Sequence, residues 1–324
     1  MLFFKRTKPG MVLYAYKDRK DWGAKLVRSC CDAGIKSRLF TSHSRVPDED
    51  GVHVFINMLS HWKQDFHDMI VSLSENIALK GNAIMIPAIH ECRHTFDKSI
   101  QAELFSRWMP RTWLLSSREG AEKTLAGMDF PFLSKSKRGH QSKNVRLIKD
   151  KASAEKEIDM IFSGDGIPVC YGFYQKGYLL WQEFLPGNQN DWRVVIIAKR
   201  FGYVEKRYNR DDVPFASGNK RYDVTLKLTD EIRELLDYGL DFARANDLSM
   251  CAIDVIRDRE GRPVLVESQC TWGWFDTDFS GVIFESFESG WASSGYRVGQ
   301  MFDVFAKAFN EGAFSGARGR LNVS

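Results

Sequence analysis

The sequence predicts an α/β (α+β) protein in which a small α/β unit leads a larger, strand-rich part. Three observations carry that prediction. Strand-like and helix-like runs alternate through residues 1–93. Residues 130–205 are mostly short apolar strands around one clear helix. The most regular helix of the chain, "TDEIRELLDYGLDFARAND", is followed by a strand, a Gly-containing turn and a second strand.

Taken in order, "MVLYAY" reads as a strand, and "DWGAKLVRSCCDAG" as a helix with Trp22, Leu26, Val27 and Cys30 on one face, closed by Gly34. "KSRLF" and "VHVFINML" are further strands, "WKQDFHDMIVSLSENIALKG" a helix, and "NAIMIP" a strand stopped by Pro87. Beyond them come a helix, the extended "RTWLLSS" and another helix. The strands "PFLSKS", "VRLIKD", "VCYGFY", "YLLWQEFL", "WRVVIIAKR" and "GYVEKRY" follow, interrupted by the helix "KASAEKEIDMIFSG". Thr229 or Asp230 caps the regular helix, whose apolar face is Ile232, Leu235, Leu236, Leu240 and Phe242. "YRVGQMFDVFAKAFNEG" is a last amphipathic helix.

The 324 residues are 44% apolar and 27% charged, which leaves little room for long disorder. A net charge of +4 gives no charge-based reason for a nucleic-acid or membrane partner. No apolar run approaches the roughly 18 residues that span a bilayer, and the first residues lack the order of a signal peptide. The six cysteines (30, 31, 92, 170, 251 and 270) form no C-x-x-C pair, and several sit in apolar contexts. They are expected to be reduced and mostly buried, in a cytoplasmic protein; an extracellular disulfide framework is the alternative.

"HECRH" (90–94) spells H-E-x-x-H, which on a helix can set His90 and His94 on a zinc ion with Glu91 as base. Pro87 allows only a short helix here, with Thr95 capping a new one from Phe96. The one histidine further on is His140, so a carboxylate would have to be the third ligand. The segment is expected to be a connector whose residues pack or meet solvent.

Four other pieces carry more chemistry. "FDKSIQAELF" puts Lys98 at the head of a helix. "PFLSK" ends on Lys135 and runs into a loop with one glycine, Gly139, and with donors on Ser136, Lys137, Arg138, Ser142 and Lys143. "YLLWQEFLPGNQNDWRVVIIAKRFGYVEKRY" brings an apolar strand to Gln182, Glu183, Phe184 and Leu185, then Asp191 at the start of a strand, then Arg193 and Arg207. Guanidinium groups match carboxylate and phosphate bidentately. In "AIDVIRDREGRPVLVESQ", Asp254 lies on one strand, and Glu267 and Gln269 lie two apart on the other, hence on one face. Acids inside apolar strands are costly unless paired or metal-bound, and this oxygen set suits a hard divalent ion.

In this order the four pieces resemble the ATP-grasp superfamily of carboxylate–amine ligases. Its members include D-alanine–D-alanine ligase, glutathione synthetase and the enzymes that add glutamate to a ribosomal protein's tail. The resemblance runs from about residue 84 to residue 275. It implies an ATP-grasp fold with an α/β leading domain (1–93), a central subdomain (94–185) and a carboxy-terminal subdomain (186–324). It implies ATP as cofactor, with Lys98, Lys135 and Ser136 on the phosphates, Gln182 to Leu185 as the adenine hinge, and Asp191 near the ribose. Asp254, Glu267 and Gln269 would hold magnesium, or manganese in its place, and Arg193 and Arg207 the substrate carboxylate or the transferred phosphate. Gln269 stands where relatives carry Asn, and the loop after Lys135 is poorer in glycine than theirs.

The partners implied are small-molecule or peptide carboxylates and amines, and homo-oligomerisation is left open. Trp272, Trp274, Phe275 and Trp291 are expected to be core of a loop-rich subdomain; the alternative is an aromatic wall of an acceptor pocket with Asp276 and Asp278 near its mouth. Two rival readings are a nucleotide-binding relative without ligase activity and, from "HECRH" alone, a zinc peptidase.

Overall fold

The computed structural model describes residues 12–16, 22–40, 53–56, 83–138, 144–169, 174–211, 213–270 and 280–314. Strands β1 (Val12–Tyr16), β2 (Ser37–Phe40), β3 (His53–Ile56) and β4 (Ala83–Ile86) form a parallel sheet in the order β2-β1-β3-β4. Helix α1 (Trp22–Asp32) connects β1 to β2 and ends as its sequence predicts. Gly34 adopts φ 77°, and the Ile35 N–H reaches the Cys30 carbonyl at 2.8 Å. The helix expected over 62–81 lies outside the described residues.

Two short helices follow, α2 (Ile89–Phe96) and α3 (Lys98–Leu104). The cap of α3 is Asp97, whose carboxylate accepts from the Ser99 N–H at 2.8 Å, not Thr95. Thr95 is instead turned toward the large sheet.

The second sheet is antiparallel, in the order β5-β10-β6-β7, from β5 (Thr112–Leu115), β6 (Phe132–Lys135), β7 (Val145–Ile148) and β10 (Leu179–Glu183). Helices α4 (Arg118–Leu125) and α5 (Lys151–Phe162) pack on it through Ala121, Leu125, Ala154, Ile158 and Ile161 around Trp181. Strands β8 (Ile167–Pro168) and β9 (Tyr174–Gln175) form a small separate ribbon.

The third sheet has seven strands: β11 (Asn190–Ile197), β12 (Phe201–Arg210), β13 (Val213–Val224), β14 (Met250–Arg257), β15 (Pro263–Gln269), β16 (Val282–Phe287) and β17 (Gly290–Arg297). Its order is β15-β14-β11-β12-β16-β17, with β13 also paired to β12. Helix α6 (Asp230–Ala245), capped by Thr229, covers one face through Leu235, Leu236, Leu240 and Phe242 against Val194, Ile196, Val204 and Ile253. It lies close because Gly239 faces Val194: a Cβ there would come within 2.7 Å of the valine Cγ1. Helix α7 (Met301–Asn310) covers half of the other face, with Phe305 and Phe309 packed among Val195, Ile197, Phe201, Tyr203 and, from the leading unit, Leu26 and Cys30.

Three strands escape the sequence pattern. β13 carries Pro214, Gly218 and Asn219, residues that weaken strand propensity. β16 and β17 occupy part of the region read as either the core of a loop-rich subdomain or an acceptor pocket. Trp291 lies on β17, 6% exposed in the α6 core with its indole N–H on Asp237 at 2.8 Å, so it walls no pocket. Trp272, Trp274, Phe275, Asp276 and Asp278 lie outside the described residues. Four of the cysteines (30, 92, 251 and 270) are free and buried, Cys31 is free and exposed, and Cys170 lies outside the described residues.

Candidate active site

The strand "NDWRVVII" builds the site by alternation. Trp192, Val194 and Ile196 face α6, while Asp191, Arg193, Val195 and Ile197 face the other way. On that second face the valine and isoleucine half is buried under α7, and the Asp191–Arg193 half is left for polar groups. Register extends the pattern sideways. Glu267 on β15, Asp254 on β14, Arg193 on β11 and Glu205 on β12 are directly opposite one another in one row across four strands. Two residues along, Asp191 stands opposite Arg207.

These groups are tightly paired. Arg193 grips Asp254 with two hydrogen bonds, Nε to Oδ1 at 3.0 Å and Nη2 to Oδ2 at 3.2 Å. Arg207 does the same to Asp191 at 2.7 Å twice, and its Nη2 also lies 2.8 Å from Asp254 Oδ2. Burial by itself would raise the Asp254 carboxyl, but the two guanidinium groups outweigh it and hold it down at about 2. Burial disfavours the charge on Arg207, yet Asp191 and Asp254 hold its pKa above the usual arginine value.

Glu205 was not found by sequence reasoning. It is 4% exposed, and among the described residues its carboxylate makes no hydrogen bond or ion pair, both arginines being turned to the aspartates. Burial raises its pKa, with Arg193 and Arg207 pulling the other way. The signal was available only as a charged residue in the outward-alternating set of "GYVEKRY", where nothing tells a buried position from a solvated one.

Lysines from outside the sheet close the site. Lys98, at the start of α3, places its ammonium 3.0 Å from Glu267 Oε1. Lys135, at the end of β6, is 6% exposed and donates to Gln182 Oε1 at 2.5 Å. Burial lowers its pKa to about 8; Glu267 and Asp254 oppose that and Lys98 adds to it. A buried ammonium whose hydrogen-bond partner is a neutral amide is well placed to receive an anion.

Gln182 links Lys135 to the start of β5. Its side chain accepts from Lys135 and donates to Thr112 Oγ1 at 2.8 Å, while Thr112 donates onward to the Pro110 carbonyl at 2.7 Å. Glu183 and Phe184 are half-buried, Leu185 is buried, and the Glu183 N–H is taken by the Arg111 carbonyl at 2.8 Å. Ser136 is buried, with its hydroxyl on the Arg138 carbonyl. The remaining loop donors, Ser142 and Lys143, lie outside the described residues, as do Gly139 and His140. Asp191 is held by Arg207.

Asp254 and Glu267 face each other across β14 and β15, and Gln269, opposite Ala252, shares their face. This set of oxygen donors fits a hard divalent ion. Each carboxylate is at present balanced by a protein cation, so the position favours positive charge.

"HECRH" turns out to be structural. Glu91 is 1% exposed and accepts from the backbone N–H groups of Ala88 at 2.8 Å and Ser249 at 2.7 Å, and from the Ser249 hydroxyl at 2.8 Å. His94 is buried against Phe105, edge to face, with Nε2 3.4 Å from Ser268 Oγ, and burial lowers its pKa to about 3. His90 is exposed. The segment packs against the large sheet, as a connector should.

No family model matches the sequence, and no curated protein matches it. Solved structures do match in shape. D-cycloserine synthetase DcsG is 14% identical with a TM-score of 0.62, over 93% of this chain and 99% of that one. A Chryseobacterium gregarium RiPP-associated ATP-grasp ligase, in complex with ADP and a leader and core peptide, is 10% identical with a TM-score of 0.61, over 93% and 96%. A RimK domain protein ATP-grasp from Sphaerobacter thermophilus is 14% identical with a TM-score of 0.52, over 79% and 90%. The chain has the ATP-grasp fold.

Proposed function

We propose that the protein is an ATP- and magnesium-dependent ligase that joins a carboxylate to an amine through an acyl phosphate. One observation carries the reading: two lysines from separate elements converge on a row of buried acids and arginines on the open half of the large sheet. In this reading Lys98 and Lys135 neutralise the triphosphate, while Arg193 and Arg207 orient the carboxylate and the transferred phosphoryl group. Asp254, Glu267 and Gln269 hold the divalent ion, which supplies charge neutralisation at the phosphates. The substrate carboxylate attacks the γ-phosphorus and releases ADP. The amine then adds to the acyl phosphate, losing a proton, and inorganic phosphate leaves as the amide forms. Positioning and charge do most of this work, so no protein nucleophile is required.

The three units fall at 1–93, 94–185 and 186–324, with the nucleotide between the second and third. Peptides are part of the substrate class we propose, because a ligase of the same fold is solved with a leader and core peptide. No helix among the described residues is long and apolar enough to cross a membrane, and a cytoplasmic setting suits an ATP-consuming enzyme. A second reading, nucleotide binding without ligation, is favoured by the pairing of much of the charge row within itself: Asp191 and Asp254 with Arg193 and Arg207, and Glu267 with Lys98. Incubating the full chain with ATP and magnesium across a panel of amino acids, peptides and polyamines separates the two. Ligation gives ADP together with a condensed product by mass spectrometry. ATP binding with no ADP and no product in any mixture would establish the second reading.

A further inference from the structure

Among the described residues strand β15 is an edge of the large sheet, and its outward backbone groups need partners that no further described strand supplies. Side chains of the connector supply them. Gln101 Nε2 donates to the Ser268 carbonyl at 2.9 Å, and Gln101 Oε1 accepts from the Ser268 N–H at 2.9 Å. The same Nε2 donates to the His94 carbonyl at 2.8 Å, and Thr95 Oγ1 accepts from the Cys270 N–H at 2.8 Å. The Gln101 amide therefore meets Ser268 as a neighbouring strand's peptide group would, with one donor and one acceptor in a fixed orientation.

Gln101 is 1% exposed and sits three residues after Lys98 on α3, one turn along the helix. Ser268 directly follows Glu267, the residue that Lys98 meets at 3.0 Å. At the other side of α3, the Lys98 N–H donates to the Lys137 carbonyl at 2.9 Å, just beyond β6. The short helix is thus pinned between the second sheet and the third, and on the third the Gln101 amide holds backbone where Lys98 holds a side chain. A lysine side chain has four rotatable bonds, so where its ammonium reaches depends on where its backbone stands. What aims this one is the helix to which it is attached.

We propose that Gln101 is a positioning residue of the nucleotide site, setting the ammonium of Lys98 over the phosphates by pairing α3 to the edge of β15. The role rests on the ATP-ligase reading above and extends it to a residue that touches no substrate.

The test is a double-mutant cycle on ATP binding by the full chain with magnesium, read by calorimetry. Gln101→Met keeps the length of the side chain and removes the pairing; it should weaken ATP about tenfold, as Lys98→Met does. The double variant should bind no more weakly than Lys98→Met alone, because the clamp acts only through that lysine. Gln101→Glu keeps the acceptor for the Ser268 N–H and should fall between wild type and Gln101→Met. Ser268→Ala leaves the backbone pairing intact and should bind as wild type does. Thermal melts run alongside, and additive losses in the double variant would mean that Gln101 only stabilises the fold. Wild-type affinity in a folded Gln101→Met would overturn the proposal equally. If the wild-type chain binds no ATP, the nucleotide reading itself fails, a result distinct from either.

Discussion

Glu91 and Asp254 are both acids that the sequence singles out, Glu91 by the H-E-x-x-H string and Asp254 by its place inside an apolar strand. Their partners separate them. Glu91 is filled by N–H groups of the backbone and one serine hydroxyl, donors that cannot turn away without unfolding something. Asp254 is filled by the flexible side chains of Arg193 and Arg207, which can turn to an arriving anion and leave the carboxylate to another cation. Backbone partners make a buried acid part of the scaffold. Side-chain cations of the kind that bind phosphate make it part of a site.

The sharpest way to break this contrast is to neutralise both acids. Glu91→Gln places an amide N–H₂ against backbone N–H donors and should cost about 3 kcal/mol of stability, seen as a lowered melting temperature, with ATP turnover of the remaining folded protein preserved. Asp254→Asn should do the reverse, leaving the melt close to wild type and reducing ADP formation by roughly 100-fold or more. If both variants behave alike, the distinction drawn from their partners is wrong.

A smaller effect belongs to Lys135. Removing it as Lys135→Met should weaken ATP by at least ~1.5 kcal/mol, the scale of a hydrogen bond to a charged group. Its pKa of about 8 gives the direction with pH. Bound phosphates favour the ammonium and raise that pKa, so ATP binding takes up a proton once the free site has lost it. Affinity measured by calorimetry should be level below pH 8 and fall above it, and the fall should vanish in Lys135→Met. A profile that stays level to pH 9.5 in the wild type would remove Lys135 from the phosphates.

The smallest effect concerns the exposed His90. His90→Ala should change neither the melting temperature nor ATP turnover, and purified wild-type protein should hold no stoichiometric zinc by elemental analysis. One equivalent of zinc lost together with activity in that variant would return "HECRH" to catalysis.

Much of this contrast was legible before any coordinates. The alternation in "NDWRVVII" put Asp191 and Arg193 on one face, and the two-residue spacing of Glu267 and Gln269 put them on another strand's matching face. Helices α1 and α6 announced themselves by apolar period, the glycine stop at Gly34 and the cap at Thr229. Such features are local, fixed by a few neighbouring backbone angles, and so are written in short stretches of chain.

Tertiary structure alone decided the partnerships. Lys98 meets Glu267, 169 positions away, because α3 is docked on β15. Gln182 bonds Lys135 because β10 and β6 are neighbours in that sheet. Trp291 is core because β16 and β17 extend the sheet under α6. Glu205 joins the charged row because its strand happens to lie beside β11. In each case the deciding quantity is which distant backbone stands about 5 Å away across a sheet. The identity of a residue sets what it can bond to; only the packing of the strands sets what it finds.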